Sequence, residues 1–114
     1  MSETLRLDPF PASGAAAARL FYERDQGRIA AALADTDMLT VIFPPAASDH
    51  DDWRRAAIRD LARAHTPTRI NGVASDDAVA IAATHAYLAD APGVTGQIFT
   101  LDPHGAGDPL RESA

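Results

Sequence analysis

A run of apolar and β-branched residues, Met38–Phe43, ends at Pro44-Pro45 and limits the possible folds of this chain more than any other feature. Such runs are typical of strands that are buried on both faces of a parallel sheet. Three further segments have strand-like patterns, at residues 4–8, 68–74 and 94–101. Helical periodicity fills the intervals, at 15–34, from Ser48 or Asp49 to Pro67, and from Ser75 to Pro92. This alternation predicts a β-α-β-α-β-α-β domain with a parallel sheet.

Each helix is expected to begin at a polar cap and to bury one apolar face. Ser13 and Ser75 are the expected caps of the first and third helices, with Asp76 and Asp77 in the first turn of the third. In the first helix the face expected to be buried is Ala18, Phe21, Tyr22, Ile29, Ala32 and Leu33. In the second it is Trp53, Ala57, Leu61 and Ala64, with Ile58 and Ala62 beside them. In the third it is Val79, Ala82, Ala83, Ala86 and Tyr87.

The composition excludes several classes of protein. The 114 residues suffice for one domain, expected at 1–103, and the Gly- and Pro-rich segment 104–114 is expected to be a flexible tail. There is no cysteine, which excludes disulfides, thiolate metal sites and a cysteine nucleophile. All ten basic residues are arginine, the net charge is −6, and no basic stripe or membrane-length apolar run is visible. We therefore expect a cytoplasmic protein that binds neither nucleic acid nor membrane, and the alanine content indicates a GC-rich bacterial gene.

Three segments in the second half of the chain follow one another in a recognisable order. They read Arg55-Ala56-Ala57-Ile58-Arg59-Asp60-Leu61, then Arg69-Ile70-Asn71-Gly72-Val73-Ala74, then Val94-Thr95-Gly96-Gln97-Ile98-Phe99-Thr100-Leu101-Asp102. With this order and spacing, residues 54–102 resemble the C-terminal half of the short-chain dehydrogenase/reductase family. The resemblance implies a Rossmann-like, three-layer α/β/α domain whose four-stranded parallel sheet has the order 1-2-3-4. It also implies two helices on one face, one on the other, and a left-handed connection between the last two strands.

The residues that perform the chemistry of this family are replaced at the matching positions. The family's tyrosine falls on Asp51, its lysine on Arg55, its serine near Pro44 or Pro45, and its Pro-Gly pair on Ser75-Asp76. Its Gly-rich dinucleotide turn would lie in an N-terminal half that the chain is not expected to have. An aspartate is ionised at neutral pH and cannot supply the proton that carbonyl reduction needs. We therefore expect no independent NAD(P)-dependent dehydrogenase activity, no catalytic residues and no cofactor.

The C-terminal ends of the strands remain a candidate cleft, because open α/β sheets bind ligands there. The residues expected near it are Pro44, Ser48, His50, Asp51, Arg55, Ser75 and Asp76. Asp51 and Arg55 lie four residues apart on one helical face, which fits either a polar cleft or a surface ion pair. His50 beside Asp49 and Asp51 raises the question of a metal site or a catalytic relay. Because three converging ligands are not visible, a solvated histidine and no metal are favoured.

The predicted sheet has only one helix on one face, and its first strand is an open edge. A second copy or another dehydrogenase-like chain would cover these surfaces, so we expect a homodimer, a higher homo-oligomer or such a complex. In the resembled family, the helices that correspond to the first and second predicted helices form a four-helix dimer interface. This makes Phe21, Tyr22 and Trp53 candidate interface residues. The alternative for Trp53 is a cap on the core. The expected function is a non-catalytic scaffold or regulatory subunit, and the alternative is a ligand-binding domain or enzyme with a repurposed cleft.

Overall fold

The computed structural model describes residues 1–101, in which strands alternate with helices. The strands are β1 Ser2–Arg6, β2 Met38–Phe43, β3 Arg69–Ala74 and β4 Ile98–Thr100. The helices are α1 Gly14–Leu20, α2 Gln26–Leu33, α3 Asp51–Ala64 and α4 Ala78–Ala89. A π-helical segment, Phe21–Asp25, joins α1 to α2, and a 3-10 turn, Ser48–His50, precedes α3. The predicted alternation is confirmed, and the expected tail at 104–114 lies outside the described residues.

The four strands form one parallel sheet in the order β1-β2-β3-β4, as predicted. The ladder between β2 and β3 extends from Met38 opposite Arg69 to Phe43 opposite Ala74. All six residues of β2 are buried, as its apolar run predicted. The outer side of β1 pairs with no strand within residues 1–101, so β1 is an edge strand.

The side chains of β2 alternate between two cores. Leu39, Val41 and Phe43 belong to a large cluster, which is covered by α3 and by the continuous helix at 14–33. Ile42 faces the other way and packs with Ile81 of α4 in a smaller cluster. The predicted layers, two helices on one face and one on the other, are therefore confirmed. Because the strand order continues while the helix changes face, the β3-α4-β4 connection has the opposite hand to the first two, as the resemblance implied.

The helix at 14–33 begins as predicted but buries a different set of residues. The Ser13 hydroxyl accepts a hydrogen bond from a backbone amide of the first turn, which confirms it as the cap. Phe21 and Ile29 are buried as expected, whereas Tyr22 is exposed and Asp25 is buried. The π-helical segment has a wider turn than an α-helix and so shifts the helical phase. Asp25 lies four residues from both Phe21 and Ile29, so it faces the core with them, and Arg24 donates to its buried carboxylate.

The predicted start of α4 was wrong by two residues. The Asp77 carboxylate caps the helix and accepts from the backbone amides of Val79 and Ala80, at 3.0 and 3.2 Å. The Ser75 hydroxyl accepts from the amide of Asp77 instead, in a turn that precedes the helix. Asp76 and Asp77 therefore lie before the first turn, where a carboxylate side chain can satisfy the free amides of the helix.

The predicted buried face of α4 was also wrong. Ala80, Ile81 and Leu88 face the sheet, and all five residues expected to be buried are exposed. The reason is that α4 has no charged residue to mark its exposed side, and its polar His85 turns toward the sheet and bonds to Thr40 of β2.

Gly72 lies where α3 and the neighbouring strands come closest to β3. A Cβ atom at this position would be 3.1 Å from Ile58 Cγ1 and 3.2 Å from both Ile98 Cγ1 and Phe43 Cε2. Three side chains on three different elements thus meet over the bare backbone of one glycine. The close packing of α3 on the sheet depends on this glycine.

We expect Gly72→Ala to lower the free energy of unfolding by about 1–3 kcal/mol, because overpacking displaces core side chains. Gly27→Ala is the matched control, since a Cβ at Gly27 of α2 meets nothing within 4 Å. It is expected to raise the free energy of unfolding by about 0.5–1 kcal/mol, because alanine loses less entropy in a helix. Urea denaturation at one protein concentration measures both, and equal stabilities of the two variants would contradict the packing described here.

Candidate functional site

Two loops meet at the C-terminal edge of the sheet and form a pocket of about 300 Å³, which we name the strand-end pocket. One loop follows β1 and the other follows β2. The lining residues are Pro9, Phe10, Pro11, Ala12, Pro44, Pro45, Ala46, Ala47, His50 and Arg54. Four of these are prolines, which restrict the backbone of both loops. Most of the wall is apolar, and two nitrogen-bearing side chains provide its polar groups.

An aromatic cluster supports the pocket from the side of the core. The rings of Phe10, Phe21, Phe43 and Trp53 pack with centroids 5.6–6.4 Å apart. Two of these residues come from the sheet side and the loop after β1, and the other two come from the π-helical segment and α3. The cluster therefore joins the loop, the sheet and both helices of this face.

Arg24 and Asp25 fix the loop that carries Phe10. The Arg24 guanidinium donates to both carboxylate oxygens of the buried Asp25, at 2.9 and 3.0 Å. It also donates to the backbone carbonyls of Asp8 and Pro9, each at 2.9 Å. Its Cζ atom lies 4.7 Å from the centre of the Phe10 ring. The π-helical segment thus holds one wall of the strand-end pocket in place.

The hydrogen bonds of His50 fix it as a neutral, structural residue. Trp53 Nε1 donates to His50 Nδ1 at 3.0 Å, and an indole nitrogen can only donate. Nδ1 therefore carries no proton, and Nε2–H donates to the carbonyl of Ala12 at 2.9 Å. Both ring nitrogens are occupied, so neither is free for a metal or a substrate. The expectation of a solvated histidine was wrong, because His50 is buried between α3 and the loop after β1.

Arg54 is a buried cation at the strand-end pocket. Its exposed fraction is 3%, and its Cζ atom lies 4.9 Å from the centre of the Phe43 ring and 5.7 Å from that of Trp53. Its buried Nε atom has no hydrogen-bond partner, and none of the ion pairs within residues 1–101 includes it. Desolvation lowers the pKa of Arg54 from its ordinary value, and the nearby charge of Asp51 opposes this effect. The guanidinium nevertheless stays charged at neutral pH.

The residues predicted for the cleft separate into two places. Pro44 and His50 line the strand-end pocket. Asp51 and Arg55 line a smaller neighbouring pocket of about 60 Å³, which Arg54 also borders. Arg55 forms an ion pair with Asp52 at 3.4 Å, so the expected surface pair with Asp51 is not formed. The two positions that match the family's tyrosine and lysine therefore do not act on each other.

The other three predicted residues do not line either pocket. Ser48 and Asp76 are exposed, and the buried Ser75 is used in the turn before α4. Arg54 was not predicted. Its signal was present in the sequence, because Arg54 falls on the same helical face as Ala57, Ile58 and Leu61, at spacings of three, four and seven residues. A charged residue among apolar residues of one helical face indicates a buried or partly buried charge.

The candidate interface residues lie at different depths. Phe21 is fully buried, Trp53 is half-buried, and 42% of Tyr22 is exposed. Partial burial and the negative charge of Asp60 on α3 raise the pKa of Tyr22. Tyr22 therefore lies on the outer surface close to α3, and an interface on this helix pair stays a prediction.

The strand order, the hand of the last connection and the positions of the three sequence segments agree with one family. The family model described as "Short chain dehydrogenase-like protein" matches residues 5–101 of the 114. The chain belongs to the short-chain dehydrogenase-like family. No curated protein and no solved structure matches it significantly.

In this short-chain dehydrogenase-like chain, two motif residues of β3 hold the connection to β4. Arg69 donates to two backbone carbonyls at the end of α4, at 2.9 and 2.8 Å. The buried Asn71 donates to the carbonyl of Val94 and accepts from the amide of Gln97, both at 3.0 Å. These side-chain bonds hold residues 94–97 as a loop. The fourth strand is therefore shorter than predicted and consists of Ile98–Thr100.

The described part of this short-chain dehydrogenase-like chain contains neither a metal-binding cluster nor a helix that could span a membrane. Within residues 1–101, no group of three or more acidic or histidine side chains is arranged to hold a metal ion. None of the helices in the same range combines the length and the apolar character that crossing a bilayer requires.

Proposed function

We propose that this short-chain dehydrogenase-like chain is a non-catalytic subunit that self-associates through the exposed face of α4. The observation that carries the proposal is the composition of this helix: twelve residues without a charge, of which only one face is covered. The exposed fractions of Val79 and Tyr87 are 80% and 61%. A helix face without charged residues is normally buried against another element.

A second copy of the chain is the occupant that fits this face best. In a two-fold dimer the same patch meets itself, so any charge in the patch would face a like charge. The chain has a net charge of −6, yet the exposed α4 face of Val79, Ala82, Ala83, Ala86 and Tyr87 has none. The alanines between the two larger side chains would let two helices approach closely. A different dehydrogenase-like chain on this face is the alternative occupant.

The non-catalytic part of the proposal is supported by the residues at the family's reactive positions. Asp51 is an exposed carboxylate, and Arg55 is paired with Asp52. Neither side chain reproduces the tyrosine or the lysine that the family has at these positions for proton transfer. A ligand-binding role for the strand-end pocket is a second candidate, because no carboxylate within residues 1–101 forms an ion pair with Arg54. A cytoplasmic location accords with a sequence that has no cysteine.

Sedimentation equilibrium at micromolar concentration is expected to show a dimer or larger assembly for the natural chain. Ala83→Glu should weaken this self-association by roughly a hundredfold or more, because the contact would bury carboxylates without partners. Ala56→Glu is the matched control on the exposed face of α3 and should leave the assembly unchanged. If Ala56→Glu dissociates the assembly and Ala83→Glu does not, the interface lies on the Tyr22 helix pair. A natural chain that stays monomeric would contradict self-association altogether.

Calorimetric titration with NADH or NADPH up to about 1 mM, the upper end of usual substrate affinities, is expected to show no binding. The double variant Asp51→Tyr with Arg55→Lys should bind no better, because no strand in the sequence is followed by a glycine-rich turn that could hold the pyrophosphate. Micromolar affinity of the natural chain for either cofactor would contradict the non-catalytic assignment.

A further inference from the structure

Arg54 is in an environment that a buried cation does not tolerate without compensation. Burying a charged group is strongly unfavourable unless it is paired and hydrogen-bonded. Only 3% of Arg54 is exposed. Within residues 1–101, its Nε atom has no hydrogen-bond partner and no carboxylate forms an ion pair with it. What compensates it within residues 1–101 is the face of the Phe43 ring and the nearby charge of Asp51, which forms no ion pair with it.

The geometry points to the strand-end pocket as a binding site for a small carboxylic acid with an apolar body, whose carboxylate is held by Arg54. The guanidinium is a planar fork of N–H donors that matches the two oxygens of a carboxylate. Arg54 lines the pocket, and its Cζ atom lies 4.9 Å from the centre of the Phe43 ring. The pocket of about 300 Å³ is at the lower end of the volumes that hold small ligands.

The walls of the pocket indicate the rest of the ligand. Prolines, alanines and Phe10 contribute most of the lining, and this surface can exclude water from an aliphatic chain or an aromatic ring. His50 offers no free nitrogen, because both of its ring nitrogens are already bonded within the chain. Arg54 is therefore the one side chain of the lining with free hydrogen-bonding capacity toward an anion. A single anionic end and an apolar remainder are what this arrangement would recognise.

The charges around the pocket favour a ligand with one negative charge over a phosphorylated one. Three exposed carboxylates are close to Arg54 in the sequence. Asp49 is in the 3-10 turn before α3, and Asp51 and Asp52 are in the first turn of α3. A second negative charge on the ligand would be repelled by them. One guanidinium balances one carboxylate and leaves a dianion uncompensated.

The walls are held in place before any ligand binds. Arg24 and Asp25 tie the loop that carries Phe10, and the His50 bonds tie the same loop to α3. A site that is already ordered loses little entropy when a ligand enters. This inference does not depend on self-association, because neither pocket residues nor Arg54 lie on the exposed face of α4.

Benzoate and hexanoate are the probes for this site, and benzamide and inorganic phosphate are the comparison ligands. Trp53 is the single tryptophan of the chain and lies against Arg54, so its fluorescence reports on the pocket. At least one of the two carboxylates should bind the natural chain at least about tenfold more tightly than benzamide, because bonds to a charged group are stronger. It should also bind more tightly than phosphate, because the nearby carboxylates repel a second negative charge. Equal affinity for benzamide, tighter binding of phosphate, or no binding of either carboxylate would overturn the inference.

Arg54→Gln should lower the affinity for the carboxylate probe by at least about tenfold, because it removes the charged fork. Arg59→Gln, an exposed arginine on the same helix, should leave that affinity unchanged. If Arg54→Gln does not fold, the ratio of the benzoate and benzamide affinities of the natural chain tests whether a carboxylate is recognised.

Discussion

Burial of β2 on both faces is the constraint on which the rest of the structure depends. Its six consecutive buried residues require a layer of helix on each side of the sheet. On one side this requirement is met by α3 and the helix at 14–33, with Phe21, Phe43 and Ile58 filling the space between them. On the other side, within residues 1–101, α4 and Leu101 pack on the cluster that contains Ile42, and the outer side of α4 has no charged residue. One face of the sheet is therefore covered by two helices. On the other face, the outer side of α4 is suited to contact a further element, such as a helix of a second copy.

The sequence patterns were sufficient to predict the sheet but not the orientation of α4. The run Met38–Phe43 and the alternation around it determine a parallel sheet, because few other arrangements bury such a strand. The orientation of a helix follows from the contrast between a polar and an apolar face, and α4 lacks that contrast. In the helix at 14–33, Asp25 is buried although an apolar pattern passes over it, because it lies four residues from both Phe21 and Ile29. Burial of this carboxylate depends on the bonds that Arg24 donates, which a periodic apolar pattern does not record.

The candidate site was predicted in its position and only partly in its residues. The strand ends are where open α/β sheets bind ligands, and the strand-end pocket lies there. Asp51 and Arg55 match the family's reactive residues and were predicted for the cleft. The buried cation is instead their neighbour Arg54. A guanidinium that keeps its protons can bind an anion but cannot exchange a proton with it. The role proposed for this turn, which matches the family's reactive positions, is therefore to bind an anion.

The central claim, that α4 of one copy packs on α4 of another, is tested most directly by disulfide cross-linking. The chain has no cysteine, so a single introduced cysteine can only link two copies. Among Val79→Cys, Ala83→Cys and Ala86→Cys, at least one should form a covalent dimer rapidly under mild oxidation, because a disulfide needs Cα atoms within about 7 Å. Ala31→Cys and Ala56→Cys, on exposed faces of α2 and α3, should remain unlinked. Linking at Ala56→Cys alone, or equally slow linking at all five positions, would contradict the claim.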